Sequence, residues 1–79
     1  MMTAPFSAFG RILAHWHRAF GERPVTVSQA DTRLRLGEVR LRAALRRAGR
    51  REFGGYVVRR GGYDSTAGLM RWRVEQVKP

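Results

Sequence analysis

Arginine is the residue type whose number and spacing in this sequence could do chemistry. Fifteen arginines and one lysine, Lys78, stand against six carboxylates over 79 residues, and the formal net charge is +10. Residues 33 to 60 hold ten arginines and two glutamates, a local balance of 10 − 2 = +8. Such a concentration attracts polyanions. A guanidinium forks onto phosphate, stacks on bases and pairs with carboxylates. The partner expected is a nucleic acid, DNA ahead of RNA, or else an acidic protein surface. G+C-rich coding also favours arginine over lysine, so the placement of these residues carries more information than their number.

Other chemistry finds little support. His15 and His17 lie two apart in a helical pattern, point in different directions and do not suit one metal ion. The six carboxylates show no paired spacing, and Ser7, Ser28, Ser65 and Thr66 have no base and orienting group in sequence context. The run GGYVVRRGG lacks the order of a phosphate-cradling loop, and its glycines read as turn residues flanking a strand. Trp16 is assigned to the core and Trp72 to the anchoring of the last strands. Tyr56 and Tyr63 could stack a base, but packing or loop roles are expected of both. Neither an enzyme nor a cofactor nor a metal site is expected.

Composition sets the frame. A chain of 79 residues makes one domain, residues 1–79, and buries only about 60% of its unfolded surface. Hydrophobic residues make up 43%, with eight aromatics, which argues against disorder. There is no cysteine, so no disulfide framework and no cysteine–zinc site. No apolar run approaches the ~20 residues that cross a bilayer, and MMTAPFSAFGRILAHW lacks the pattern of a signal peptide. A cytoplasmic, non-membrane protein is expected, its oligomeric state undetermined.

The elements that must position the arginines follow from periodicity. Phe9, Leu13, Trp16 and Phe20, at spacings of four, three and four, form one stripe that Ile12 widens. This predicts a helix over about residues 6 to 20, with Thr3 or Ser7 as cap, Pro5 in the first turn, and Gly21 and Pro24 ending it. Val25, Thr26 and Val27 read as a short extended segment. Ser28 opens S-Q-A-D, a capping box with Asp31 in place of glutamate, so that a second helix starts at Gln29. Gly37 either sits inside one long helix at a cost of ~1 kcal/mol or separates two helices. The helical pattern stops at Gly49. The period then changes to two in YVVRR and LMRWRVEQV, joined by GGYDSTAG, which predicts a β-hairpin. Met70, Trp72 and Val74 face the helices; Leu69, Arg71, Arg73 and Glu75 face away. Two or three helices followed by a C-terminal hairpin make an α+β domain of winged-helix order, with the hairpin as the wing.

On a helical projection of residues 33 to 48 at about 100° per residue, Leu34, Leu41, Ala44, Leu45 and Ala48 make the core stripe. Arg35, Arg42 and Arg46 form a ridge on one flank; Arg33, Arg40 and Arg47 form another. Arg50 and Arg51 continue past the helix end, Arg59 and Arg60 fall at the expected hairpin tip, and Arg71 and Arg73 return along it. A basic helix and wing suit a helix in the major groove with a wing on the backbone. Charge on an exposed helix is often no more than a solvated face, but such a face normally mixes signs. Leu36, Val39 and Ala43 lie between the ridges. In a continuous helix they form an exposed apolar strip fit for a protein interface; if Gly37 breaks the helix, Leu36 and Val39 become core.

The pieces FGRILAHWHRAFGERPVTV (residues 9–27) and LRAALRRAGRREFGGYVV…MRWRVE (residues 41–75) carry a resemblance. Phe9, Gly10, Trp16, Phe20 and Gly21 open it; Leu41, Leu45, Arg46, Arg47 and Arg51 follow; Gly54 and Gly55 precede a strand, and Arg71, Trp72, Arg73 and Val74 close it. This pattern resembles the C-terminal winged-helix-like tail of phage and integrative-element replication proteins of the primase–helicase kind, over about two thirds of the chain. The region of residues 28–40 is shorter than in that family, and no ATPase is attached, so no catalytic residue carries over. The resemblance implies a mobile-element origin and a DNA-related role. It also raises a second possibility, an anti-CRISPR protein that uses the same arginines to bind a CRISPR surveillance complex (type I Cascade) and block its target DNA.

Overall fold

A computed structural model describes residues 5–77. The elements are α1 (Pro5–Phe20), β1 (Val25–Thr26), α2 (Val27–Leu34), α3 (Glu38–Ala48), β2 (Glu52–Phe53), β3 (Tyr56–Asp64) and β4 (Leu69–Gln76). The strands form one antiparallel sheet in the order β1-β4-β3-β2. This is the expected α+β, winged-helix-like arrangement, with three helices, a short strand between the first two, and a closing hairpin. The two-residue β2 is an addition to it. Phe53 and Tyr56 are paired across Gly54–Gly55. Both glycines have positive φ, 59° and 91°, the backbone that a tight two-residue hairpin needs and side chains resist. No helix among the described residues is long and apolar enough to cross a membrane.

The α1 stripe is buried as its spacing implies, with Leu13 and Trp16 wholly enclosed and Phe20 nearly so. Pro5 is the first helical residue. Thr3, one of the two caps considered, lies outside the described residues, and Ser7, the other, is already inside the helix. Phe9 meets Phe53 edge-on, their centroids 4.8 Å apart, and ties α1 to β2. The Trp16 indole N–H is buried without a hydrogen-bond partner among the described residues. Burying a ring of that size contributes about 4–6 kcal/mol, against a cost of about 1–3 kcal/mol for the orphaned donor. The core keeps the ring despite the unmet bond.

The second helix starts earlier than S-Q-A-D indicates. Thr26 is the cap: its hydroxyl accepts from the Gln29 amide at 3.2 Å, and the Gln29 side chain accepts from the Thr26 amide at 3.0 Å. The reciprocal pair is therefore T-V-S-Q, and Val27 is the first helical residue rather than part of a strand. It puts Val27, 2% exposed, into the core.

Asp31 does not cap that helix. It builds the turn after it. Arg35 adopts the left-handed conformation (φ 55°, ψ 47°) and its amide donates to the Asp31 carbonyl at 2.8 Å. The Asp31 carboxylate then accepts from the amides of Leu36 and Gly37, each at 2.8 Å. Gly37, at φ 96°, starts α3, its carbonyl accepting from Leu41 at 2.9 Å. Residues 28–48 thus form two helices joined by a three-residue turn, a helix-turn-helix. The break does not make Leu36 and Val39 core, contrary to the expectation attached to it. Leu36 is 36% and Val39 77% exposed, and Ala43 is exposed as well. The buried stripe of α3 is Leu41, Leu45 and Ala48, and Val39 lies about 200° from Leu41 on that helix.

The hairpin is longer than YVVRR suggests. Arg59 and Arg60 sit mid-strand, opposite Arg73 and Trp72, and not at the tip. The tip is Ser65–Gly68, where the Asp64 carboxylate accepts from the amides of Thr66 and Ala67, both at 3.1 Å. Met70, Trp72 and Val74 face the helices as expected, with Trp72 and Val74 buried.

Two outcomes test this packing. Asp31→Ala removes a carboxylate acceptor from two turn amides and should lower unfolding free energy by about 1–2 kcal/mol. Val39→Asp, at an exposed site, should change it by no more than ~0.5 kcal/mol. Urea denaturation followed by circular dichroism reads both.

Candidate nucleic-acid interface

The arginines divide between two faces because strands alternate sides and α3 covers only one of them. Residues paired with Trp72 and Val74 lie on the helix side; Arg59, Arg71 and Arg73 lie on the other. On that outer face they meet carboxylates. Arg59 and Arg73 both reach Glu75, with contacts at 3.3 and 3.1 Å, and Arg71 reaches Asp64 at 3.3 Å. Glu52, opposite Val57, is on the same face. Three arginines and three carboxylates leave it balanced.

The helix side is different. Arg42, Arg46, Arg50 and Arg60 converge where the C-terminal half of α3 passes the hairpin. Two adjoining concavities lie there, of about 370 and 270 Å³. Arg46 and Trp72 line both. Arg50, Arg59 and Arg60 border the first, and Arg42 and Tyr63 border the second. Among the described residues, no carboxylate lines either. Arg42 makes one weak contact, 3.7 Å to Glu38 one helical turn back. Arg46, Arg50 and Arg60 form no ion pair among the described residues. The Arg60 guanidinium lies 6.0 Å from the centroid of the Trp72 ring, its stem along the apolar surface and its charge in water.

The remaining candidates sit around this groove without entering it. Arg40 and Arg47 are exposed on α3, and Arg35 is exposed in the turn. Arg51 donates to the Arg47 carbonyl at 3.0 Å and lies 5.7 Å from the Phe53 ring centroid. Arg33, in the last turn of α2, has its guanidinium 5.9 Å from the Phe20 centroid. It borders a separate concavity between α1 and α2, with His15 and Leu36. The two ridges of the helical projection are therefore split by the turn. Arg42 and Arg46 stay together, and so do Arg40 and Arg47, but Arg33 and Arg35 belong to other surfaces.

Neither histidine joins a cluster. His17 lies 3.6 Å from Glu22 and its ring centroid 5.5 Å from that of Tyr56, while His15 is exposed. No group of three potential metal ligands occurs among the described residues. Tyr63, assigned to packing or a loop by its sequence context, is in β3, 60% exposed at the lip of the second concavity. Its signal was the pair Gly61–Gly62 inside a strand pattern, which marks a bulge.

Comparison with known proteins found no matching family model, no significantly similar curated protein and no significantly similar solved structure.

The Asp64 carboxyl is held below the usual carboxylate range, first by the Ala67 amide and then, against partial burial, by the Arg71 charge and the Thr66 amide. A lowered folded value means the carboxylate supports the wing tip at neutral pH and loses that role as pH falls through the lowered value. The amide resonances of Thr66 and Ala67 should therefore titrate below the normal carboxylate range, and Asp64→Ala should abolish the transition.

Proposed function

We propose that this chain is a small non-enzymatic protein that binds duplex DNA, with α3 and the β3–β4 hairpin as the contacting elements. The observation that carries the reading is the groove between them, where Arg42, Arg46, Arg50 and Arg60 converge and, among the described residues, no carboxylate lines the wall. A surface of one sign, with at least three of its cations free of ion pairs, has a phosphate backbone as its natural counterpart. The helix-turn-helix, with α3 as its second helix and a hairpin beside it, is an arrangement that seats a helix in the major groove and a wing on the backbone. The resemblance of its motif residues to replication-protein tails of mobile elements points the same way.

Neutralising about six phosphates would make affinity fall roughly a thousandfold between about 50 and 200 mM salt, with little dependence on sequence. Arg46→Ala and Arg50→Ala should each reduce the slope of log affinity against log salt by about one. Arg71→Ala and Arg73→Ala, on the balanced outer face, should leave binding within about twofold. Gel-shift titration across salt concentrations measures all four. Absence of binding at low salt, or equal losses from both faces, would rule the reading out.

A second reading rests on the exposure of Leu36 and Val39 beside Arg35 and Arg40. An apolar pair edged with cations suits an acidic protein surface, such as a patch on a CRISPR surveillance complex whose DNA binding the chain would block. On that reading Val39→Asp abolishes capture of the complex in a pull-down and leaves DNA affinity unchanged.

A further inference from the structure

Strand β3 runs in register with β4 from Tyr56 opposite Gln76 to Arg60 opposite Trp72, and resumes with Tyr63 opposite Met70. Three positions on β3 thus match two on β4, a β-bulge of one extra residue. Side chains alternate along a strand. Without the bulge, Tyr63 would share the outer face with Arg59 and Arg73. With it, Tyr63 moves to the side of Met70 and Trp72, where α3 and the arginine-lined groove are. Gly61, within the bulge, packs so closely on Pro24 that a Cβ there would meet the Pro24 Cβ at 2.5 Å. Redirecting a tyrosine usually serves to fill a core, but this ring remains 60% exposed. Its hydroxyl makes no hydrogen bond among the described residues. It lines a concavity of about 270 Å³ together with Arg42 and Arg46 of α3.

A flat aromatic face beside cations, in a concavity whose described lining holds no carboxylate, matches a nucleobase and its flanking phosphates. Bases inside a duplex are stacked on one another and offer only their edges in the grooves. An unpaired base offers its face. We propose that Tyr63 stacks on an unpaired nucleobase while Arg42 and Arg46 take the adjacent phosphates. The preferred ligand is then DNA in which single-stranded nucleotides adjoin a duplex, rather than blunt duplex. This rests on the reading of the α3–hairpin groove as a DNA surface and specifies its substrate.

Fluorescence anisotropy with a blunt duplex and the same duplex carrying a short single-stranded overhang tests it. The protein should bind the overhang probe about tenfold more tightly, in keeping with the loss per stacked base on alanine substitution. Tyr63→Ala and Tyr63→Leu should remove that preference without changing affinity for the blunt duplex or the salt slope, and Tyr63→Phe should retain it. Equal binding of the two probes by the unaltered protein overturns the proposal and leaves duplex binding standing. So does an equal loss on both probes in Tyr63→Ala. Failure to bind either probe at low salt defeats both.

Discussion

The chain reversal at Arg35–Gly37 is the constraint on which the rest of the molecule depends, and one carboxylate holds it. Asp31 accepts from three successive amides, Arg35 through its carbonyl and Leu36 and Gly37 through its side chain. The reversal is not free. A non-glycine residue in the left-handed region costs about 1–2 kcal/mol, and Arg35 is such a residue. Two charge-assisted hydrogen bonds offset a penalty of that size. With the turn in place, Leu41, Leu45 and Ala48 share one buried core with Val58 and Trp72, and Arg42, Arg46 and Arg50 border concavities that the hairpin also lines. A continuous helix through Gly37 would carry the same arginines away from it.

The acidic residues explain why charge collects where it does. Asp31 serves the turn. Asp64 and Glu75 neutralise the outer sheet face, Glu22 receives the Gln76 amide, and Glu38 shares Ser28 and Arg42. Each of these five holds a local element together, Glu52 lies on the outer sheet face, and none of the six lines the groove. The net positive balance therefore falls on the side of the sheet where α3 crosses the wing, as a consequence of how six carboxylates are placed rather than of arginine number alone.

What could be read in the sequence was whatever depends on a strong period. The 4-3-4 spacing of α1 and the alternation of Met70, Trp72 and Val74 each match one geometry only, and both are as expected. Three features depended on near-degenerate choices. Thr26 and Ser28 each precede a partner three residues on, and the cap goes to Thr26 because that start buries Val27 and lets Gln29 bond back. At Gly37 the helical and broken solutions differ by only ~1 kcal/mol in propensity, so the Asp31 hydrogen bonds, invisible to periodicity, decide. Once the break exists, phase within α3 keeps Val39 outside. The sequence pattern puts Tyr63 in the joining segment GGYDSTAG, whereas β3 runs through it and a bulge of one residue inverts alternation beyond Arg60; the close approach there, Gly61 against Pro24, joins residues distant in sequence.

Part of the arginine cluster has an explanation that needs no ligand. Cations near a helix C-terminus are favoured by its dipole, by about 0.3–1 kcal/mol each, an effect confined to the last turn. Arg51 meets that description most fully, with its guanidinium on the Arg47 carbonyl. Arg42 lies more than a turn from the end, beyond the dipole's reach. Arg60 is on a strand and gains nothing from it, yet extends its charge over Trp72 into the same groove. Several like charges held together also repel one another, which costs a small domain stability at low salt. A dipole accounts for one or two of these residues. It does not account for the convergence of Arg42, Arg46, Arg50 and Arg60 from two different elements.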